Sequence, residues 1–373
     1  MLLESYKNRL RGRGTLVVCL LAAGLLSLGL GLIGLGLATG AAPADAAVAR
    51  HAAPPLPPAV ELPAFRPATV LRRAVKRVKH VEHVRAVRRE ARRQPHSRAS
   101  RASTSLYEHT VKQSVLRRQG CRAAKRGVGG IVILDFGQPA YNGHTYGANL
   151  FSGRFAGNKK ITRALLAYAV GYHRCLRRGS TLKITLARGT SNYRPQVPSA
   201  YRAGRKWARE TKVLHRLLRT RGLHDHVSSA AADDVEPAWD RSFHKTRDFF
   251  RGFRDAHTGH LLYNFGSLDG GVGSIWNARQ IFFVTSGMKY ARAIPEIYNH
   301  AMAKQWADLA HIAHKRYRRP VKFAGVMTTR TAKNRGMTPR NAHKTLVRAL
   351  ATRVGEAAPD VPQTMTNIVA AAE

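Results

Sequence analysis

The chain has 373 residues and carries 63 Lys and Arg against 21 Asp and Glu, a formal net charge of +42. This length accommodates one large domain or two ordinary ones. So positive a balance disfavours cationic partners and favours acidic ones, such as nucleic acid, anionic lipid or an anionic cell-wall polymer. It places no restriction on the fold.

Residues 1–46 have the layout of a secretory signal. A basic start is followed by an uncharged apolar stretch from Thr15 to Thr39, and Ala44-Asp45-Ala46 offers a cleavage site. The stretch is also long enough to span a bilayer, which takes about 20 residues. Two outcomes remain open. The segment is cleaved and the protein is secreted, or the segment is retained as a single-helix anchor. In either case the sequence predicts export of the rest of the chain, to the medium or to the outer face of the cytoplasmic membrane.

Residues 47–105 form a predicted linker, first rich in proline and then in arginine and lysine. Valine recurs at every third position from Val75 to Val87, a spacing that winds around a helix and does not hold one face. We therefore expect a flexible basic stalk that can lie on an anionic envelope polymer or lipid. A solvated linker without a partner stays open. Nucleic-acid binding lacks support, since neither a zinc-finger spacing nor an RNA-binding aromatic motif is present.

From residue 106 to residue 355 the sequence predicts a globular domain of alternating strands and helices, followed by a flexible tail at 356–373. The predicted strands are 130–137, 182–189, the stretch beginning at 227, 260–266, 280–285 and 321–327. The predicted helices are 107–126, 160–177, 200–218, 243–253, a long one opened by Pro295, and one from 338 to 354.

This alternation favours a parallel sheet, and a span of about 250 residues is typical of a (β/α)8 barrel of the TIM type. Six strands are clear and two must come from weaker segments, so a doubly wound sheet stays open. The glycines from Gly127 to Gly130 precede their strand, whereas a phosphate-binding G-x-G-x-x-G follows one. Those from Gly266 to Gly273 lack the ending of a P-loop. We therefore predict no cofactor.

The stretch from Val227 to Asp240 suggests the chemistry. In a strand that begins at Val227, Asp234 and Glu236 point to the same face, and Pro237 ends the strand. Two carboxyls with Trp239 beside them would then stand at the carboxyl end of a strand, where α/β proteins bind ligands. Paired carboxyls with an aromatic platform suit sugar chemistry. An Asx-type turn in a solvated loop is the alternative.

Other polar and aromatic residues also follow predicted strand ends, and their convergence supports one site. Glu296 could instead be a carboxylate at the start of its helix, Asp269 a turn residue beside Gly270, and Arg188 an ion-pair partner of Asp135 or Asp234. The remaining candidates are Asn192, Tyr193, Asp233 and Tyr298.

The cysteines and histidines indicate structure more than catalysis. Cys121 and Cys175 are an even pair in an exported segment and are a candidate disulfide, with two separate thiols as the alternative. His224-Asp-His226 precedes its strand and lacks an evident third ligand, so we predict no metal site. A Gly-x-Ser-x-Gly elbow is absent from the sequence, which disfavours serine hydrolysis.

Four motifs resemble those of secreted actinobacterial proteins with a glycoside-hydrolase-like barrel, related to the lysozyme-type glycoside hydrolases of family 25. These are Tyr-Gly-Ala-Asn-Leu-Phe151, Asp-Asp-Val-Glu-Pro-Ala-Trp239, Tyr-Asn-Phe-Gly-Ser-Leu-Asp269 and Ile-Pro-Glu-Ile-Tyr298, together with Ile-Val-Ile-Leu-Asp135 on a first strand. The resemblance covers roughly residues 125–350. The chitinase pattern D-x-x-D-x-D-x-E is also similar, but Ser229 and Ala232 stand where it needs Asp.

This resemblance implies that Glu236 is the general acid, that Asp234 orients a substrate acetamido group or stabilises charge, and that Asp135 assists. The implied substrate is a cell-wall or related polysaccharide. The first hypothesis is therefore an exported glycoside hydrolase. A non-catalytic carbohydrate-binding protein and a polyanion-binding protein on the same barrel are the alternatives.

Overall fold

The computed structural model describes residues 102–331 and 335–371. The predicted leader at 1–46 and nearly all of the predicted stalk at 47–105 lie outside these ranges. Among the helices of the described ranges, none combines the length and the apolar character needed to cross a membrane.

Eight parallel strands form a nearly closed barrel, and a small antiparallel sheet follows the second of them. The neighbours around the barrel are β10, β11, β1, β2, β6, β7, β8 and β9, and isolated bridges from Ala293 to Phe323 and from Glu296 to Met327 join β9 towards β10. The strands are β1 (Ser103–Tyr107), β2 (Gly130–Asp135), β3 (Gln138–Tyr141), β4 (Tyr146–Asn149), β5 (Phe155–Gly157), β6 (Ile184–Ser191), β7 (Val227–Asp234), β8 (Leu262–Asn264), β9 (Ala291–Ala293), β10 (Val326–Thr328) and β11 (Met365–Ala370), with β3–β5 in the small sheet.

Helices connect the barrel strands, as a (β/α)8 architecture requires. They are α1 (Gln113–Lys125), α2 (Asn158–Arg174), α3 (Ala200–Thr220), α4 (His244–Arg254), α5 (Ala278–Phe282), α6 (His300–Ile312) and α7 (Pro339–Val354). Helices α5 and α6 each continue into a short π-helical turn, at Phe283–Gly287 and Ala313–Tyr317. The predicted TIM-like fold class is thus confirmed for the described part of the chain.

Alternation along the strands divides the core into two layers. Side chains such as Ile133, Ala232 and Phe265 fill the barrel interior, while Leu134 and Ala231 belong to the layer packed under the helices. The interior series of β2 ends at Asp135 and that of β7 at Asp234. Because side chains alternate between the two faces of a strand, both carboxyls lie on the interior face at the mouth of the barrel.

Helices α1 and α2 approach unusually closely and are cross-linked. A Cβ on Gly120 would lie 2.0 Å from the carbonyl oxygen of Tyr168, and one on Gly171 would lie 1.9 Å from that of Arg117. Cys121 and Cys175 form a disulfide between the same two helices, which confirms the predicted pair.

The first and last strands of the barrel in chain order differ from the sequence prediction. The helix predicted to start at Tyr107 is wrong at its start, since Tyr107 closes β1 and α1 begins at Gln113. The tail predicted as flexible supplies β11, which pairs with both β1 and β10. Both strands are short and weakly patterned, and their stability comes from neighbours distant in sequence.

A second error concerns the region around residue 280. The predicted strand 280–285 is helical, because Asn277 and Gln280 form a reciprocal capping box that starts α5. The strand at this place in the barrel is β9. Pro295 does not open a helix; it follows β9, and α6 begins after Asn299, whose side chain accepts a hydrogen bond from the backbone N–H of Met302.

Candidate active site

Four carboxyls meet at the carboxyl ends of the barrel strands. Asp135 ends β2, Asp234 ends β7, Glu236 follows two residues later, and Glu296 follows β9. The charges of Glu296, Glu236 and Asp135 all raise the pKa of Asp234, after burial itself, which contributes most. Asp135, Asp234 and Glu296 are buried and Glu236 is half-buried. The alternative of a solvated Asx turn does not describe this stretch.

Glu236 and Glu296 differ in how readily they ionise. Burial and then the charges of Glu296 and Asp269 raise the pKa of Glu236 to about 9. Burial also raises the pKa of Glu296, to about 7, but the hydroxyl of Tyr298 donates a hydrogen bond to Glu296 Oε1 and holds that pKa lower. A proton shared by this pair therefore resides on Glu236, and Glu296 is the carboxyl that ionises first.

Asn192 holds the backbone of Glu236 in place. Its Oδ1 accepts a hydrogen bond from the Glu236 N–H at 3.0 Å, and its Nδ2 donates to the Glu236 carbonyl at 3.1 Å and to Thr246 Oγ1 at 3.0 Å. The structure thus shows Asn192 holding the backbone of Glu236, and its contact with substrate stays a prediction.

Asp135 and Asp234 each present a carboxylate oxygen to the mouth. Asp135 Oδ1 accepts from the Gly137 N–H at 2.9 Å, whereas Asp135 Oδ2 and Asp234 Oδ1 are buried and lack a hydrogen-bond partner among the described residues. Gly189 faces Asp135 in register, and a Cβ there would lie 2.8 Å from the Asp135 Cα. The absence of a side chain at Gly189 keeps this part of the mouth open.

Tyr107 is a site residue that sequence reasoning missed. After burial, the charges of Asp234, Glu296, Asp135 and Glu236 raise the pKa of its phenol well above the ordinary value, so it lies among all four carboxyls. Its ring packs edge-on against Phe151, with centroids 4.9 Å apart, and Phe151 is one of the exposed large apolar side chains. The sequence carried little signal for it, because Ser-Thr-Ser-Leu before Tyr107 contains only one residue type with a strong strand preference.

The loops after β6, β7 and β8 contact one another at the carboxyl ends of the strands. Trp239 stacks edge-on against Tyr193, with ring centroids 5.4 Å apart, and both rings are half-buried. Asp269 adopts a left-handed turn conformation with φ of 45° and accepts hydrogen bonds from the Ala238 N–H at 2.7 Å and the Ser267 hydroxyl at 2.8 Å. It therefore ties the loops after β7 and β8 together, as well as acting as a turn residue.

Arg188 does not belong to this cluster, and the expected ion pair with Asp135 or Asp234 is wrong. The side chain leaves β6 on the helix side, where its guanidinium lies 3.9 Å from the Trp207 ring centroid and donates to Thr162 Oγ1 at 3.0 Å. It also donates to Asn158. Burial lowers the pKa of Arg188 to about 9. The physical reason is strand parity, since Arg188 shares its face with Leu186 and not with Ala187.

Asp233 also points away from the mouth. It lines a small cavity with Asn192, Thr246 and Phe249 behind the strand ends, and its Oδ1 is buried and unpartnered within the described ranges. Burial raises its pKa well above the ordinary value. Its influence on the site is indirect, because its charge raises the pKa of Asp234.

A further buried acid that the sequence analysis missed is Glu108, which follows Tyr107 on the helix side of β1. Its Oε2 accepts from Gln119 Nε2 at 3.3 Å, and its Oε1 lacks a partner among the residues described. Burial, with a smaller contribution from Asp135, raises its pKa to about 8.

The histidines at the opposite end of the barrel make protein contacts. His226 Nδ1 lies 2.9 Å from the Leu182 carbonyl oxygen, and His224 Nε2 lies 3.5 Å from Asp225 Oδ1. Within residues 102–331 and 335–371, no group of three or more His, Cys, Asp or Glu is arranged to hold a metal ion.

Comparison with known proteins does not place the chain in a family. No protein-family model matches the chain, and no curated protein matches it. Among solved structures, it is similar to a β-mannanase from Streptomyces thermolilacinus, with 11% sequence identity and a TM-score of 0.38 over 72% of this chain and 79% of that chain. So distant a match carries no argument. The strand pairing alone places the site in a nearly closed parallel α/β barrel, and the family 25 resemblance stays a prediction.

Proposed function

We propose that this protein is an exported glycoside hydrolase that acts on cell-envelope polysaccharide by carboxylate acid/base chemistry, with Glu236 as the general acid. One observation carries the proposal. Two carboxyls at the barrel mouth have pKa values driven apart by their surroundings, with the proton kept on Glu236 and the negative charge favoured on Glu296 by Tyr298. Glycosidic bond cleavage needs such a division of roles.

In the proposed reaction Glu236 donates its proton to the glycosidic oxygen as the bond to the anomeric carbon breaks. Glu296, as a carboxylate, stabilises the positive charge that develops at that carbon. Water then supplies the hydroxyl of the new reducing end, and its proton returns to Glu236. The two glutamates are thereby regenerated, and one water molecule is consumed for each bond broken.

The other mouth residues suit binding and orientation of a sugar. Asp135 Oδ2 and Asp234 Oδ1 are acceptors without protein donors in the described chain, so they can take hydroxyl or acetamido N–H groups of the substrate. Tyr193, Trp239 and Phe151 offer aromatic faces and edges around the same opening. Asp234 keeps the role of orienting an acetamido group or stabilising charge.

The mouth selects against anionic sugars. Each ionisable neighbour that shifts the pKa of Glu236, Glu296 or Asp234 is acidic or phenolic. In the proposed reaction Glu236 holds a proton and Glu296 is a carboxylate, so a uronate or phosphate placed here would meet the charge of Glu296 in a poorly solvated setting. The sugar at the point of cleavage is therefore uncharged or carries an amine, although the exterior of the protein is strongly basic.

The proposal is tested by release of reducing ends from purified cell-wall glycan by the full chain. The comparison is with Glu236→Gln and with Glu356→Gln, the same change at an exposed carboxyl beyond α7. We expect release by the wild type and by Glu356→Gln, and a loss of about 10²–10⁴-fold in Glu236→Gln, with glycan still retained in a pull-down by all three.

Absence of release from the wild type, with glycan retained, would overturn the catalytic proposal. The barrel would then be a carbohydrate-binding module in which Asp234 and Glu236 are ligand contacts.

A further inference from the structure

A row of basic side chains follows the solvent face of α3. It consists of Arg202, Lys206, Arg209, Lys212, Arg216 and Arg219, all exposed, and we call it the basic ridge. The successive spacings of three and four residues keep these side chains on one face of the helix. At 1.5 Å per residue the ridge is about 25 Å long.

The opposite face of α3 explains why the ridge is held rigidly. Ala203, Gly204, Trp207, Ala208, Thr211, Leu214 and Leu218 are buried. A Cβ on Gly204 would lie 2.0 Å from the Phe249 carbonyl oxygen, and one on Gly252 would lie 1.9 Å from that of Tyr201. Helix α3 is therefore packed tightly onto α4, and its charged face has a fixed orientation.

Acidic side chains are few around the ridge. Asp255 lies near the start of α3, where it accepts a hydrogen bond from the Tyr201 hydroxyl at 3.3 Å and pairs with Arg254. Between Glu108 and Glu210 the only acidic residue in the sequence is Asp135, which is buried in the barrel mouth. Glu210, the one acid on α3, accepts a hydrogen bond from Thr162 Oγ1 at 2.7 Å. In the described part of the chain, the ion pairs involve none of the six ridge residues.

One ridge residue contributes to the environment of a neighbouring histidine. Burial lowers the pKa of His260 most, to about 4, and His215 and then Lys212 of the ridge lower it further. Like charges three and four residues apart destabilise a helix. A row of six therefore costs stability, and a bound polyanion would offset that cost.

We propose that the basic ridge binds a linear anionic polymer built of phosphodiester-linked small polyols, of the kind that envelope surfaces carry. Four of the six side chains are arginines, whose guanidinium groups bind phosphate oxygens in pairs. Neighbouring cations along the ridge are about 5–6 Å apart at Cβ, so a flexible polymer with regularly repeated phosphates can meet several at once.

The shape and composition of the ridge favour this occupant over a bilayer or a nucleic acid. The exposed large apolar side chains of the described residues are Phe151 and Val347, and neither lies on α3. The ridge thus lacks an apolar side chain to insert into lipid. It also lacks exposed aromatic rings on which bases could stack, which single-stranded nucleic acids use.

This inference does not depend on the proposed hydrolase activity, because the ridge lies on a helix of the barrel wall and the carboxyls lie at the strand ends. Helix α3 follows the carboxyl end of β6, so the ridge begins near the rim of the mouth. A polymer bound there would keep the mouth close to neighbouring uncharged glycan.

The test measures binding of the full chain to poly(glycerol phosphate) as a function of salt concentration. Changing the six ridge residues to Gln should weaken binding at least about tenfold at physiological salt and reduce the slope of log K against log salt by about 3 to 4. Changing all four arginines to Lys keeps the charge and should leave the slope within about 1 of the wild type.

The matched control removes six exposed cations elsewhere, namely Lys304, Lys315, Arg316, Arg340, Lys344 and Arg348. It should leave both affinity and slope near the wild type. If the ridge and control variants lose equal affinity for the polymer, binding depends on total charge and the proposal is overturned. Unchanged polymer affinity in the ridge variant would also overturn it. So would a loss of affinity for anionic phospholipid vesicles as large as the loss for the polymer. Thermal unfolding of each variant checks that α3 remains folded.

Discussion

At the residue scale, Tyr298 sets the difference between the two glutamates. Its hydroxyl hydrogen bond stabilises the charged form of Glu296, while Glu236 has no such donor from a side chain of the described part. Burial pushes both carboxyls towards the neutral form, and the hydrogen bond decides which one ionises. The roles of acid and charge stabiliser thus depend on one phenol.

Tyr298→Phe removes this hydrogen bond and should raise the pKa of Glu296. If Glu296 acts as a carboxylate, the acidic limb of the pH dependence of kcat/KM moves to higher pH by about one unit, and activity near neutral pH falls about tenfold. A rate profile across pH measures this shift. A uniform loss with unchanged limbs would show that Tyr298 only supports packing.

Glu108 makes the stability of the protein depend on pH. Burial raises its pKa to about 8, so the folded state binds a proton that the unfolded chain releases above its ordinary pKa of about 4.3. This contribution is fully present below that ordinary value and is lost as pH rises through 8. The loss is on the order of 5 kcal/mol of unfolding free energy at most.

Glu108→Gln keeps the shape and removes the titration. We expect the variant to match the wild type near pH 5 and to unfold at a higher temperature than the wild type near pH 9, as followed by circular dichroism. Glu356→Gln is the exposed control and should follow the wild type. If the unfolding temperature of Glu108→Gln and that of the wild type changed in parallel with pH, the interpretation of Glu108 as a buried neutral carboxyl would be contradicted.

At the scale of elements, β11 is essential to barrel closure. It pairs with Ser103–Tyr107 of β1 on one side and with Val326–Thr328 of β10 on the other. A chain that ends at Ala358 would leave two strand edges without partners. We predict loss of the cooperative thermal transition for this truncation, and a sharp transition comparable to the wild type would contradict that prediction.

The elements also show what the sequence could and could not reveal. Helix α7 and strands β2, β6 and β7 were predicted because long apolar patterns and caps such as Thr338 determine them locally. Strands β1, β9 and β11 are three to six residues long, and their pairing partners determine them. The positions of Asp135, Asp234 and Glu236 could be predicted from the alternation of side chains along their strands. Tyr107 could not be placed without knowledge of β1. The outward direction of Arg188 could not be predicted without the register of its strand.

At the scale of the whole molecule, a basic exterior surrounds an acidic mouth. The chain carries a net charge of +42, yet five of its 21 acidic residues influence one another's ionisation at the strand ends, namely Asp135, Asp234, Glu236, Asp269 and Glu296. The outer surface attracts polyanions, while the Glu296 carboxylate disfavours an anionic sugar at the mouth.

This contrast predicts the charge preference of the substrate. Carboxymethylation of a glycan that the protein hydrolyses should lower kcat/KM at least about tenfold at low salt, and added salt should recover part of the loss. Steady-state kinetics on the modified and unmodified glycan measure the ratio. Equal rates on both would contradict an acidic mouth as the selecting feature.

The central claim is that Glu236 protonates the departing sugar oxygen. The most direct measurement compares wild type and Glu236→Gln on a glycan and on an aryl glycoside whose phenol is acidic enough to leave without protonation. We predict a loss of about 10²–10⁴-fold on the glycan and little loss in the glycosidic cleavage step of the aryl substrate. An equally large loss on both substrates would contradict the assignment of Glu236 as the acid.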